Sequence, residues 1–144
     1  MKIGVASDHA GFEYKGKISA LLKKKGHEVI DYGTYSTESC DYSDFAHPLG
    51  TAIDNGDVEL GVAFCGTGNG MAITLNKHQK VRAALCWGTE IARLAKAHNN
   101  ANVIVMPARF ISYQMVTSIV NKWLETEFEG GRHERRIEKI PLCR

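Results

Sequence analysis

The chain has 144 residues, 44% hydrophobic and 24% charged, with a formal net charge of +2. This composition suits one compact domain with its own apolar core, and so small a charge does not point to nucleic acid. No apolar run approaches the roughly 18 residues of a membrane span, and the opening MKIGVASDHAG turns polar too early for a signal peptide.

In chain order, KIGVA (2–6) predicts a first strand. FEYKGKISALLKKKG (12–26) predicts a helix with Ile18, Leu21 and Leu22 on one face, stopped by Gly26. EVIDY (28–32) predicts a second strand, followed by a polar loop over 33–43 and a helix over SDFAHPLGTAIDNG that ends at Asn55-Gly56. ELGVAFC (59–65) predicts a third strand, followed by a glycine loop and a helix over 69–77. RAALCW (82–87) predicts a fourth strand, and TEIARLAKAH (89–98) a helix with Thr89 as its N-cap. NVIVM (102–106) is the fifth strand, stopped by Pro107. A helix over 112–128 puts Val116, Ile119, Val120 and Trp123 on one face, and a glycine pair and a short basic helix close the chain.

Strands that alternate with helices predict βαβ units. Strands three to five are apolar nearly throughout, as a sheet covered on both faces requires. The expected fold is therefore α/β, a Rossmann-like three-layer sandwich with a five-stranded parallel sheet, spanning residues 1–144 as a single domain. Ligands of such sheets bind beyond the carboxyl ends of the strands. SDHAG follows strand one, CGTGNG follows strand three, and Arg109 follows strand five. His98 and Asn99 instead end a helix and precede a strand, which places them at the opposite edge. They can join the same site only from a second subunit, so a dimer with shared sites is expected.

The loop CGTGNG (65–70) spaces its glycines G-x-G-x-G, after the third strand. A dinucleotide fingerprint needs G-x-G-x-x-G after the first, and no Gly-Lys-Ser/Thr follows for a nucleotide-phosphate loop. A glycine-rich turn from strand to helix still presents backbone N–H groups to an anion, either a phosphate or a transient oxyanion. Alternatively, the glycines serve only a tight turn. Cys65 stands at the mouth of this turn, where a helix N-terminus favours thiolate. It is a candidate nucleophile or general base, or else a buried strand-end cysteine. Thr67 offers a hydroxyl to substrate or to a cap.

Asp8 and His9 could bind hydroxyls or phosphate, or serve as an N-cap and a surface histidine. No further ligand lies at a metal spacing from them. His98 could move protons near neutral pH, and Asn99 could hydrogen-bond without charge. Polar helix ends, however, favour both residues anyway. Arg132 and Arg136 in GGRHERRIEKI share a helical face and, with Arg109, could clamp a phosphate. The bland alternative is a solvated charged tail, and no aromatic residues interleave with these arginines to stack on nucleic acid. The cysteines Cys40, Cys65, Cys86 and Cys143 form no C-x-x-C pair and no zinc spacing, so reduced thiols in a cytoplasm are expected.

Together SDHAG, CGTGNGM, NK (76–77), RAAL, HNNAN and GGRHERR closely resemble, in order and nearly end to end, the ribose-5-phosphate isomerase B family, which includes galactose-6-phosphate isomerase subunits. The resemblance implies an aldose–ketose isomerase without metal or cofactor. It would interconvert ribose 5-phosphate and ribulose 5-phosphate through a cis-enediolate, in the pentose phosphate pathway. It implies Cys65 as proton acceptor and His98 as the acid/base that opens the sugar ring. Asp8, His9, Gly66, Thr67, Gly68, Asn69, Gly70, Asn99, Arg109, Arg132 and Arg136 would bind substrate. On this reading residues 130–140 complete the site, and the assembly is a homodimer with shared sites, or a tetramer of two such dimers. One branch of the family places a glutamate base at the position of Met71, so Cys65 with Met71 matches the cysteine branch. Six-carbon sugar phosphates (galactose 6-phosphate, allose 6-phosphate) are the near alternative as substrates. A non-catalytic sugar-phosphate sensor is the alternative from another class.

Overall fold

A computed structural model of the chain describes residues 1–142; Cys143 lies outside the described residues. Five strands form one all-parallel sheet: β1 (Lys2–Ser7), β2 (Glu28–Asp31), β3 (Leu60–Cys65), β4 (Ala83–Leu85) and β5 (Val103–Pro107). Their spatial order is β2-β1-β3-β5-β4. Six helices flank the sheet: α1 (Phe12–Lys24), α2 (Ser43–Asn55), α3 (Asn69–Leu75), α4 (Thr89–Asn99), α5 (Tyr113–Glu125) and α6 (Arg132–Glu138). No helix among the described residues is long and apolar enough to cross a membrane.

The period of two along each strand sorts side chains onto two faces. Ile3, Val5, Val62, Phe64, Ile104 and Met106 face one core, which Ile18 and Leu22 of α1, Ala92 and Ala95 of α4, and Val116, Ile119, Val120 and Trp123 of α5 complete. Ala6, Ala63, Cys65, Val103 and Val105 face the other, with Leu49 and Ile53 of α2 and Met71 and Leu75 of α3. The α5 stripe expected from its helical period is buried, while in α1 Ile18 and Leu22 are buried and Leu21 is half-buried at the margin of the core. Each large apolar side chain so enclosed contributes roughly 1.5–3 kcal/mol. Trp123 also satisfies its indole, whose Nε1 donates to Ala101 O at 3.0 Å.

Several boundaries differ from expectation for local reasons. The cap of α4 is Gly88 rather than Thr89, which is the first helical residue, and no side chain closes that end. By contrast Ser112 caps α5, its side chain accepting from Met115 N at 3.1 Å. The last long helix stops at Glu125, because Thr126 turns extended with φ −86° and ψ 139°. β4 is only three residues long and half-buried, whereas β3 and β5 are buried throughout. It sits at the sheet edge, where one flank lacks a neighbouring strand. Lys15 shares the buried face of α1 with Ile18 and Leu22 and is 1% exposed. Its Nζ donates to Asp31 Oδ1 at 2.6 Å, Asp31 Oδ2 at 2.8 Å and Thr34 O at 2.6 Å, so the charge is paired.

Candidate functional site

From β1 the chain passes to β2 on one side of the sheet, then crosses to β3 on the other side of β1. The topological switch point therefore lies between the ends of β1 and β3, where open parallel sheets bind ligands. Ser7 is the Cα partner of Phe64, and Asp8 N donates to Phe64 O at 3.2 Å, so Asp8-His9 and Cys65-Gly66 emerge side by side.

Asp8 is 7% exposed. It caps the 3-10 turn His9–Gly11, with Oδ1 accepting from Ala10 N at 2.9 Å and Gly11 N at 3.2 Å. Both bonds fall on Oδ1, so capping and ligand binding through Oδ2 are compatible. His9 Nδ1 accepts from Cys40 N at 3.2 Å, and Cys40 Sγ lies 3.8 Å from the same nitrogen. A backbone amide only donates, so neutral His9 carries its proton on Nε2, ready to donate.

Cys65 ends β3 at 4% exposure, on the α2–α3 face beside Met71. The strand ends are clamped together: Ala108 N donates to Cys65 O at 2.9 Å and Arg109 N to Gly66 O at 3.1 Å. Arg109 lies over Gly66, where a Cβ would stand 3.2 Å from its Cδ and 3.3 Å from Nη1. Gly68 has φ 79°, and a Cβ there would also run into Leu85 Cδ1, so glycine is needed on two counts. At Gly70 a Cβ would collide with the ring of Tyr42. Thr67 Oγ1 accepts from Asn69 N at 3.2 Å, a local turn bond that leaves its hydroxyl proton free to donate elsewhere. Met71, at the position implied for the alternative base, is fully buried.

A second cluster forms at the opposite edge. His98 lies in the last turn of α4, and its ring stacks on His133 of α6 with centroids 4.3 Å apart and planes 12° apart. Glu129 N donates to Ala97 O at 2.9 Å, which ties the linker before α6 to the end of α4. Glu129 Oε1 lies 3.7 Å from His98 Nε2 and 3.6 Å from His133 Nε2. Burial, then the neighbouring His98 and Arg132, push the His133 pKa down, which favours its neutral ring. Arg82 Nε donates to Asn99 O at 3.2 Å and to Asn100 O at 3.1 Å, while Nη2 donates to Asn100 O at 3.0 Å. These bonds satisfy helix-end carbonyls. A cavity of ≈ 300 Å³ lies here, bordered by Asn76, Arg82, Asn99 and Ile140. Larger hollows beside His47 and beside His27 include neither Cys65 nor His98 in their walls.

The structure thus gathers Asp8, His9, Cys65, the loop 66–70 and Arg109 at one edge, and His98, Asn99, Arg132 and Arg136 at the other. Within one chain Arg109 does not meet Arg132 and Arg136. Sequence spacing assigns no site role to Cys40, Tyr42, Arg82, Glu129 or His133, which the fold brings to these two edges. For Glu129 and His133 the four-residue separation was a visible but weak signal. The others are brought in by contacts across 17 to 31 residues, such as Arg82 to Asn99 and Cys40 to His9.

An all-parallel sheet with a thiol, a glycine turn and a histidine donor at its switch point defines the class: an α/β protein built to hold a small polar ligand beyond its central strands. Residues 3–140 match the family model described as ribose/galactose isomerase, and the chain belongs to that family. It is 40% identical over 139 residues to ribose-5-phosphate isomerase B of Escherichia coli, covering 96% of this chain and 93% of that one. It superposes on a ribose 5-phosphate isomerase from Thermotoga maritima with a TM-score of 0.94 at 50% identity, over 97% of both chains. A third relative is ribose-5-phosphate isomerase B from Mycoplasma genitalium, solved with bound ribulose-5-phosphate. Its TM-score is 0.93 at 42% identity, over 96% of this chain and 93% of that one.

Proposed function

We propose that the protein is an aldose–ketose isomerase that interconverts ribose 5-phosphate and ribulose 5-phosphate. The observation that carries this reading is the near-complete overlay on the Mycoplasma genitalium enzyme that holds the ketose product. The chemistry moves a hydrogen between C1 and C2: the ring opens, a base removes the C2 proton, and the cis-enediolate is reprotonated at C1. Cys65 serves as that base. A positioned general base contributes about 10²–10⁴-fold, and donors aimed at the developing oxyanion add ~3–4 kcal/mol. Backbone amides of residues 66–70 supply those donors. His98 moves the proton that opens the ring. Asp8, His9 and Asn99 bind the sugar, and Arg109, Arg132 and Arg136 bind the phosphate, which orients C2 over the thiol.

These residues act together across two subunits. The strand β5, with five residues at about 3.3 Å each, separates the two clusters by roughly 16 Å. One sugar phosphate cannot span that distance through a packed sheet. A homodimer that apposes the carboxyl edge of one subunit to residues 98–99 and 130–140 of the other completes each site. Residues 1–144 then act as one domain in the cytoplasm, where the free thiols Cys40, Cys65 and Cys86 stay reduced.

The test is isomerisation in deuterated water with ribose 5-phosphate and with galactose and allose 6-phosphates. We expect deuterium at the exchanging carbon and the highest kcat/KM for the five-carbon substrate. Preference for a six-carbon substrate would move the assignment within the family. Binding without turnover or exchange would make the protein a sensor.

A further inference from the structure

The contacts of Glu129 with His98 and His133, at 3.7 and 3.6 Å, are too long for good N–H···O hydrogen bonds. They are instead close to the separation of two ligands on one metal ion. In a tetrahedral shell with bonds of about 2.0–2.1 Å, neighbouring donor atoms stand about 3.3–3.4 Å apart. All three donor atoms lie within 4.8 Å of one another. Two imidazoles and one carboxylate form a donor set that suits zinc and leaves a fourth position for water.

The three residues come from separate segments that the fold holds in place. His98 is fixed by α4 and His133 by α6, where it is 8% exposed. Glu129 is pinned through its backbone to Ala97. Ligation requires the two rings to splay from their 12° stack. The half-buried His98, with 38% of its side chain accessible, can make that rotation. Arg132 and Arg136 also face His133, and their charge opposes a cation. That opposition suits a reversible site rather than a permanently filled structural one.

We propose that His98, Glu129 and His133 form a reversible binding site for a borderline divalent cation such as Zn²⁺, and that its occupancy inhibits the enzyme by withholding His98 Nε2 from the sugar ring. The binding half stands on the geometry alone. The inhibition half rests on the role given to His98 above.

The test is calorimetric titration of ZnCl₂ into the full-length, chelator-treated protein, with MgCl₂ as the contrast. We expect one Zn²⁺ per chain and no Mg²⁺ heat, because Mg²⁺ prefers oxygen ligands. Glu129→Gln and His133→Gln should each weaken binding by at least the roughly 10–100-fold that even an outer partner of a metal ligand costs. Glu129 has 54% of its side chain exposed, so Glu129→Gln carries the test should His133→Gln fail to fold. A Cys40→Ser, Cys65→Ala double variant should bind Zn²⁺ as the native chain does. Absence of Zn²⁺ heat, undiminished binding in Glu129→Gln, or loss of binding in the cysteine variant would each overturn the site. Zn²⁺ should also suppress turnover reversibly, and less so in Glu129→Gln; Zn²⁺ that binds without slowing isomerisation would overturn the inhibition. A chelator-treated native protein without isomerase activity would count against the proposed reaction, while the calorimetry still judges the site.

Discussion

Cys65 and Cys86 are both buried cysteines at strand ends, yet their surroundings separate them. Cys86 is enclosed by the core of the α1–α4–α5 face, and burial pushes its thiol up to about 12. It remains a protonated, inert filler at neutral pH. Cys65 lies on the other face of the sheet, at the α2–α3 core, and its backbone leads directly into the glycine turn next to the Asp8 strand end. Replacing its sulfur by hydrogen in Cys65→Ala should cost about 1 kcal/mol of stability, the scale of a small buried deletion. The expected functional loss is larger: C2 proton exchange should fall by roughly 10²–10⁴-fold while ribulose 5-phosphate still binds. Deuterium exchange measured beside calorimetric binding checks this, and unimpaired exchange would remove Cys65 as the base. His9 shows how a residue's chemistry depends on distant chain. Its type and strand-end position are visible in SDHAG, but its tautomer depends on the Cys40 amide, 31 residues away.

At the scale of elements, the turn from β3 to α3 joins a positive φ at Gly68 to close packing under Leu85. Gly68→Ala places a Cβ in the left-handed region, at about 1–2 kcal/mol. Displacing the end of Leu85 adds to this, since overpacking costs typically about 1–3 kcal/mol. A drop of about 2–5 kcal/mol in urea unfolding is expected, with loss of activity as the loop shifts. A change below roughly 0.5 kcal/mol, the range of ordinary surface substitutions, would show that the turn tolerates a side chain. The sequence leaves this loop as an anion-binding turn or a tight turn; the positive φ and the Leu85 contact that require glycine fall on Gly68 alone of its three glycines, which spacing does not single out. The cap of α4 was not legible either: Thr89 has the right chemistry, but the backbone of Gly88 holds the cap position at φ −155° and ψ 171°. A propensity for capping does not fix a position to within one residue.

For the whole molecule, the two residue clusters stand at opposite edges of one sheet, and the proposed shared-site dimer makes a quantitative prediction. Cys65→Ala and His98→Asn should each be inactive alone. When equal amounts are unfolded together and refolded, half the dimers are mixed, and one of the two sites in each is intact. Activity should therefore return to about a quarter of the native level. If each site lay within a single chain, no mixed dimer would carry an intact site and nothing would return. The same geometry explains why Arg109 cannot join Arg132 and Arg136 within a subunit: β5 and its neighbours stand between them.

Alternation of strands and helices, the buried stripe of α5, most of that of α1, and the edge to which each motif belongs are all legible in the chain itself. Each of these follows from local periodicity and from the direction of a parallel strand, which any stretch of about ten residues carries. The order β2-β1-β3-β5-β4, the burial of Lys15 against Asp31, the Cys40 contact that sets His9, and the meeting of His98, Glu129 and His133 were decided only by the tertiary structure. These depend on which surfaces pack together across tens of residues. Packing is a property of the whole folded chain, and no local pattern encodes it.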